Sequence, residues 1–376
     1  MKIAFISTRG IPNNYGGFEQ FAEYISVGLV TRGHEVTVYS PHFHSYKENY
    51  YKGVRIKHIY SPETWMGSSL GSFFYDFLSL RDALKKEEFD IIYEAGYTSI
   101  VPAYIWFNVR RIKHPVFVTN MDGLEHKRTK FNRWVQKFIF WEERTTVRHS
   151  HYLIADNMGI RDYYKEKYGK ESKFLAYGAN IHDNYDENIL KEFDLIPNNY
   201  FLIVARLEPE NNIESVIRGY LASNQKEIKP LIVVGNTNTP HGKFLVKKYG
   251  YENSVRFVEG VYDFDKINSI RHFSTAYFHG HSVGGTNPSL LEAMASGCFI
   301  IANDNMFNKT VLYDEALYFS SPENIMLILN KIDIEINEKK AFFVENNLRR
   351  IRNKYSWEKL IDEYETYFLE ILNRNF

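Results

Sequence analysis

The run His279-Gly280-His281-Ser282-Val283-Gly284-Gly285-Thr286-Asn287-Pro288 sets two imidazoles and three glycines ahead of an Asn-Pro pair, and Glu292 follows shortly after. Glycine removes the side chains that would hold a phosphate off the backbone, and amides at a helix start attract negative charge. Asn287 is placed to cap a helix, Pro288 fits its first position and Gly297 suits its end. A diphosphate is the anion this cradle would take. Glu292, just over a turn further along, is where a carboxylate would accept hydrogen bonds from a ribose diol. The plainer readings are an ordinary tight turn at Gly284-Gly285 and a solvated glutamate.

Three other segments carry chemistry-bearing residues. In Ala205-Arg206-Leu207-Glu208-Pro209-Glu210-Asn211-Asn212, Arg206 stands where a strand gives way to a helix, and its planar fork could bridge two phosphate oxygens. The alternative is an exposed structural salt bridge. Arg9 to Glu19 forms a loop between strand and helix that contains Gly16 and Gly17 but lacks the GxGxxG dinucleotide fingerprint, which weakens an oxidoreductase reading. The fourth segment, Thr119 to Arg128, follows a strand, so Asp122 would sit at the carboxyl edge of a sheet. There it orients or deprotonates an acceptor hydroxyl, hydrogen-bonds a sugar, or simply makes an Asp-Gly turn. Beyond it, and beside Arg128, the residues Lys127, Lys130, Arg133 and Lys137 share a predicted helix with Phe131, Trp134, Val135, Phe138 and Trp141. Such a stripe rests on an anionic membrane surface or packs into a core. His279 and His281 have no third ligand in an obvious place, so no metal is expected.

Elements must position these residues. Short buried strands are predicted at Lys2–Ser7, Val36–Tyr39, Ile91–Tyr93, Val116–Thr119 and Tyr152–Ala155, with helices between them and no hairpin signature. A second series runs Tyr200–Ala205, Leu231–Val234, Val255–Val258, Ala276–Phe278 and Phe299–Ala302. Strands alternating with helices make parallel, doubly wound sheets. The expected organisation is therefore an α/β chain with one domain over 1–178 and another over 179–356. From Trp357, apolar positions at helical spacing predict a closing helix over 357–376 that packs back on the first domain.

The bulk numbers agree. The chain of 376 residues exceeds what one core usually serves. Its 46 basic and 46 acidic residues cancel, so no overall charge points to nucleic acid. One cysteine, Cys298, allows no internal disulfide and suits a reducing compartment. The amino terminus reads as neither signal peptide nor span, and no segment approaches about 18 uninterrupted apolar residues. The expectation is a cytoplasmic protein, soluble or peripheral on the inner face of the plasma membrane.

In their order, and above all in ARLEPENN and HSVGGTNPSLLEAM, these segments resemble the retaining GT-B glycosyltransferases of family 4, specifically the rhamnosyltransferases of bacterial polysaccharide assembly. The likeness spans nearly the whole chain. It implies two Rossmann-like domains facing each other across a cleft, the second holding a nucleoside-diphosphate sugar and the first presenting the acceptor. Gly16 and Gly17 would border the leaving diphosphate, and Arg206 would bind phosphate. Two departures stand out: the family's phosphate-binding lysine is Asn211 here, and the first of its two spaced glutamates is Gly284, while the second is Glu292. Backbone amides from Gly284 through Gly285 and Thr286 to Asn287, with His281 beside them on the donor side, would take the missing glutamate's place. The resemblance further implies dTDP-rhamnose as donor, a polyprenyl-diphosphate-linked saccharide as acceptor in capsule or O-antigen synthesis, retention at the anomeric carbon, and no cofactor. A nucleotide-sugar epimerase and a non-catalytic sugar-nucleotide-binding protein are the rivals.

Overall fold

A computed structural model describes every residue of 1–376 except Tyr15, Asp122, Thr129, Lys130, Asp183 and Phe376. The chain divides into two units, one of 1–127, 131–177 and 357–376, the other of 128–130 and 178–356. The expected boundary at 178/179 thus lies one residue from the division at Tyr177/Gly178, and the closing helix groups with the first unit.

The first unit runs β1 (Lys2–Ile6), α1 (Gly17–Thr31), β2 (Glu35–Pro41), β3 (Tyr50–Tyr51), β4 (Val54–Ile59), α2 (Glu63–Met66), α3 (Ser68–Lys86), β5 (Ile91–Glu94), α4 (Val101–Trp106), β6 (Val116–Asn120), α5 (Arg133–His149), β7 (Tyr152–Ala155), α6 (Met158–Tyr168) and β8 (Lys173–Phe174). Its sheet has the order β3-β4-β2-β1-β5-β6-β7-β8. Ile3 of the central strand registers with Val36 on one side and Ile91 on the other. Every pairing is parallel except β3 with β4. That hairpin corrects the expectation of none: it turns at Lys52-Gly53, both with positive φ, and its first strand is too short to show alternation.

The second unit runs β9 (Phe201–Val204), α7 (Ile213–Ala222), β10 (Leu231–Val234), α8 (Pro240–Tyr249), β11 (Val255–Val258), α9 (Phe264–His272), β12 (Ala276–His279), α10 (Pro288–Ala295), β13 (Ile300–Asn303), α11 (Met306–Leu312), β14 (Leu317–Phe319), α12 (Pro322–Leu329) and α13 (Ile332–Arg350). Its all-parallel sheet has the order β11-β10-β9-β12-β13-β14. Phe201, Ile203, Val233, Phe278 and Ile301 are buried together under α7, α12 and α13. Strands covered on both faces need such continuous apolar runs, which is why the sequence showed them as short solid blocks. Winding reverses at β9, which lies between β10 and β12, and ligands of open α/β sheets bind outside the carboxyl ends of strands at such a reversal.

Helix α14 (Trp357–Asn375) packs on α1 within the first unit. Tyr24 stacks on Trp357 with ring centroids 4.4 Å apart, and Phe21 meets Tyr364 at 5.1 Å. Gly28 lets the two helices close: a Cβ there would stand 2.4 Å from Ile361 Cδ1.

Candidate active site

The two motif loops of the second unit leave adjacent strands at the winding reversal. Arg206 follows β9 and is exposed, while His281 to Asn287 follow β12. Hydrogen bonds tie one loop to the other. Ser282 donates through its amide (3.0 Å) and its Oγ (2.8 Å) to the Glu210 carbonyl, and Asn212 Nδ2 donates to the Gly280 carbonyl at 2.8 Å. Gly280 is required for this approach, since a Cβ would lie 2.1 Å from the Asn211 carbonyl oxygen. From the far side, Asn305 and Asn308 donate to the His281 carbonyl at 2.9 and 3.1 Å.

Helix α10 begins as its sequence predicts, with Asn287 as N-cap and Pro288 in the first turn. The cap changes where an anion could bind. Asn287 Oδ1 accepts from the Ser289 amide, and the Asn287 carbonyl accepts from Leu290 and Leu291, so the helix's own first amides are already used. Among the described residues, the amides of Gly284, Gly285 and Asn287 donate to no backbone carbonyl. Gly284 has φ +126 with open space where a side chain would point, and Thr286 in the same loop is buried. An anion would therefore meet loop amides, with the helix dipole behind them and no acidic residue in the first turn to oppose it. Helix α1 differs. Gly16 caps it with extended backbone, but Glu19 lies buried in its first turn and accepts from the Arg9 amide at 3.0 Å, so this helix start already holds a carboxylate. The diphosphate role given to Gly16 and Gly17 thus has weaker electrostatic support than that of the α10 loop.

Glu292 lies on α10, and its Oε2 stands 2.7 Å from Arg271 Nη2 on α9. Arg271 is buried, 2% exposed, and also donates to Asn268 Oδ1 at 3.0 Å and Ser289 Oγ at 3.4 Å. A buried guanidinium thus fixes one edge of the Glu292 carboxylate, a partner the sequence reading did not include. Asn211 is likewise held by a neighbour. Its side chain is buried and Nδ2 donates to the Arg206 carbonyl at 2.7 Å, so it shapes the arginine loop instead of reaching outward as a lysine would.

The two imidazoles stack at 4.4 Å, in line with Tyr277 on the same side of β12. Burial holds His279 well below the usual histidine range, and neither of its ring nitrogens has a partner among the described residues. Loss of solvent and the charges of Arg206 and Arg128 push His281 down to about 3, so both rings are neutral near pH 7. No group of three or more His, Cys, Asp or Glu side chains among the described residues is arranged to hold a metal.

The remaining candidates are scattered. Asp122 and Lys130 lie outside the described residues. Arg128 groups with the second unit and its Nη1 lies 3.5 Å from Glu210 Oε1, so it does not join the basic helix. Lys127 ends a short 3-10 turn, Glu125–Lys127, and Phe131 precedes α5, because Asn132 caps that helix through the amides of Trp134 and Val135. Arg133, Trp134 and Lys137 do lie on α5 and are exposed. Sequence reasoning missed Arg271, Asn305 of the β13–α11 loop and Asn308 on α11. A charged residue on the same helical face as Ile267 was the available signal for the first.

Residues 187–356 match the family described as Glycosyl transferases group 1, and residues 1–180 match one described as Domain of unknown function (DUF1972). An uncharacterized glycosyltransferase of Methanocaldococcus jannaschii is 26% identical, the match covering 77% of each chain. Among solved structures, sucrose-phosphate synthase from Thermosynechococcus elongatus superposes with a TM-score of 0.79 at 14% identity over 99% of both chains. Anabaena HepE in complex with UDP-glucose gives 0.73 at 14% identity over the whole of both chains. The fold is that of the GT-B glycosyltransferases. The glycosyl transferase match falls within the second unit, and the two-unit architecture around it is the one these solved structures share.

Proposed function

We propose that the protein transfers a sugar from a nucleoside-diphosphate donor bound at the carboxyl ends of β9 and β12. The observation that carries this reading is the meeting, at the winding reversal, of an exposed arginine with a loop in which the amides of Gly284, Gly285 and Asn287 donate to no backbone carbonyl among the described residues. As the bond between the anomeric carbon and the β-phosphate oxygen breaks, negative charge grows on the departing diphosphate. Arg206 and the amides of Gly284, Gly285 and Asn287 stabilise it, so the reading calls on no metal or cofactor. Glu292, oriented by Arg271, accepts from the nucleoside's ribose. The acceptor hydroxyl oxygen forms the new bond and its proton departs, with Asp122 as the residue assigned to receive or steer it. Retention at the anomeric carbon belongs to the same reading.

The donor we assign is dTDP-rhamnose and the acceptor a polyprenyl-diphosphate-linked saccharide of bacterial surface polysaccharide synthesis, used at the inner face of the plasma membrane. The exposed Arg133, Trp134 and Lys137 of α5 support a position at an anionic surface. A second reading, with a UDP-sugar as donor, is favoured by the HepE complex with UDP-glucose. Incubating the purified protein with dTDP-rhamnose, UDP-glucose, UDP-GlcNAc, UDP-galactose and GDP-mannose, with bacterial lipid extract, decides between them. Lipid-dependent diphosphate release from dTDP-rhamnose alone is expected. Release from a UDP-sugar instead selects the second reading, and release from none overturns both.

A further inference from the structure

Four of the chain's five tryptophans are exposed or largely so, and all four belong to helices of the first unit: Trp65 on α2, Trp106 on α4, and Trp134 and Trp141 on α5. Trp106 and Trp134 are 75% and 80% exposed, far beyond what a ring with over 150 Å² to bury ordinarily keeps in water. They are not scattered. Helix α3 packs on α4 and α4 on α5. Ring contacts continue the surface across them, Phe77 of α3 with Trp106 at 6.0 Å, Phe73 of α3 with Phe138 of α5 at 6.0 Å, and Phe138 with Trp141 at 5.5 Å. Leu70 and Phe74 extend the exposed apolar surface along α3.

The charge on these elements is one-sided, although the whole chain is neutral. Every acidic residue of α3, α4 and α5 is buried: Asp76, Asp82, Glu142 and Glu143 are each 7% exposed or less. The basic residues point outward. Arg133, Lys137 and Arg144 of α5 are exposed, as are Arg110, Arg111 and Lys113 just after α4. Lys137 Nζ lies 5.3 Å from the Trp134 ring centroid, so cation and indole share one patch. An aromatic face on helices whose exposed charges are cationic complements a surface that is apolar beneath and anionic at its edge.

We propose that α3, α4 and α5, with the Arg110–Lys113 segment, form one docking face whose partner is an anionic lipid bilayer. The indoles enter the headgroup layer and the arginines and lysines pair with lipid phosphates. This deepens the membrane-surface part of the function proposed above, enlarging it from one helix to three, and is independent of the identity of the donor.

The test is flotation of the full chain with vesicles of phosphatidylcholine alone or with about a third phosphatidylglycerol, as order-of-magnitude charge densities for anionic membranes. Wild type, Trp106→Ser, the pair Arg110→Glu and Arg111→Glu, and Lys137→Glu are compared, with thermal melting and circular dichroism confirming that each variant is folded. Wild type should float at least about tenfold better with the anionic vesicles, and both α4-side variants should lose most of that binding, the charge pair more steeply as salt is lowered out of the screening range. Brominated lipid should quench wild-type tryptophan fluorescence, and less so in Trp106→Ser. If only Lys137→Glu loses binding, the single-helix reading stands and the three-helix face is overturned. If wild type ignores the vesicles, membrane docking itself is overturned. Dimerisation of wild type, abolished by Trp106→Ser without any vesicle binding, would assign the face to a second copy. Sugar-nucleotide binding is read separately in every arm, so failure of the face and failure of the glycosyltransferase reading are told apart.

Discussion

Glu292 and Arg271 show why a motif residue cannot be tested by deletion alone. Arg271 is almost wholly buried and Glu292 is its carboxylate partner. Breaking a buried pair by removing one member leaves an uncompensated charge and typically costs about 3–5 kcal/mol. Glu292→Ala should therefore lower stability by about 3 kcal/mol, while Glu292→Gln, which keeps an acceptor for the guanidinium, should lose at most about half of that. Urea unfolding of both variants checks the ordering, and equal losses would mean that the pair is not what holds the arginine. The family motif made Glu292 legible in the sequence. Its partner was not, because Arg271 is brought to it from another helix, and only its place among Ile267 and Ile270 hinted at an inward-facing charge.

At the scale of elements, the site is a pair of strand-to-helix loops locked together through backbone groups. Gly280 is the position where that locking is tightest. Gly280→Ala should force the β12–α10 loop off the Asn211 carbonyl, costing about 1–3 kcal/mol by overpacking and weakening nucleotide binding at the same time. A variant with normal unfolding and normal binding would show that the two loops are not coupled. Most of this level could be read from the chain. The blocks Leu231–Val234, Val255–Val258 and Tyr152–Ala155 are strands with the predicted ends, and Asn287-Pro288 opens a helix. What failed has local causes. Strand β3 is only two residues long, and the start of α5 was placed too early because a run of basic and aromatic residues hid the capping signal of Asn132. The resulting shift removes Lys127 from that helix. The hydrogen bonds from Asn305 and Asn308 to the His281 carbonyl join segments far apart in sequence and leave no periodic trace.

At the scale of the molecule, the two units should answer acid differently. In the first, burial raises Glu142 to about 8, Asp76 to about 7 and Glu94 well above the carboxylate range. These groups take up protons in the folded state as pH falls from about 8, whereas the unfolded chain takes them up only near 4, so acidification over this window favours folding. His44 and His151, lowered by burial, oppose it in the same unit below their ordinary value of 6.5. In the second unit His279 and His281 are both lowered, so the unfolded chain binds more protons below 6.5 and stability falls toward about 3. All five tryptophans lie in the first unit, so their fluorescence reports it alone. Between pH 7.5 and 5.5 the fluorescence midpoint in urea should hold or rise while the remaining circular-dichroism transition moves down; a common downward shift would contradict the assignment. The central claim is that a donor diphosphate sits against Arg206 and the loop before α10, and calorimetric titration of UDP and dTDP into wild type and Arg206→Ala tests it most directly. Binding of at least one diphosphate to wild type, weakened about tenfold or more in the variant, is the predicted result, in keeping with loss of a charge-assisted hydrogen bond. Equal affinity in the two proteins, or no binding to either, would contradict it.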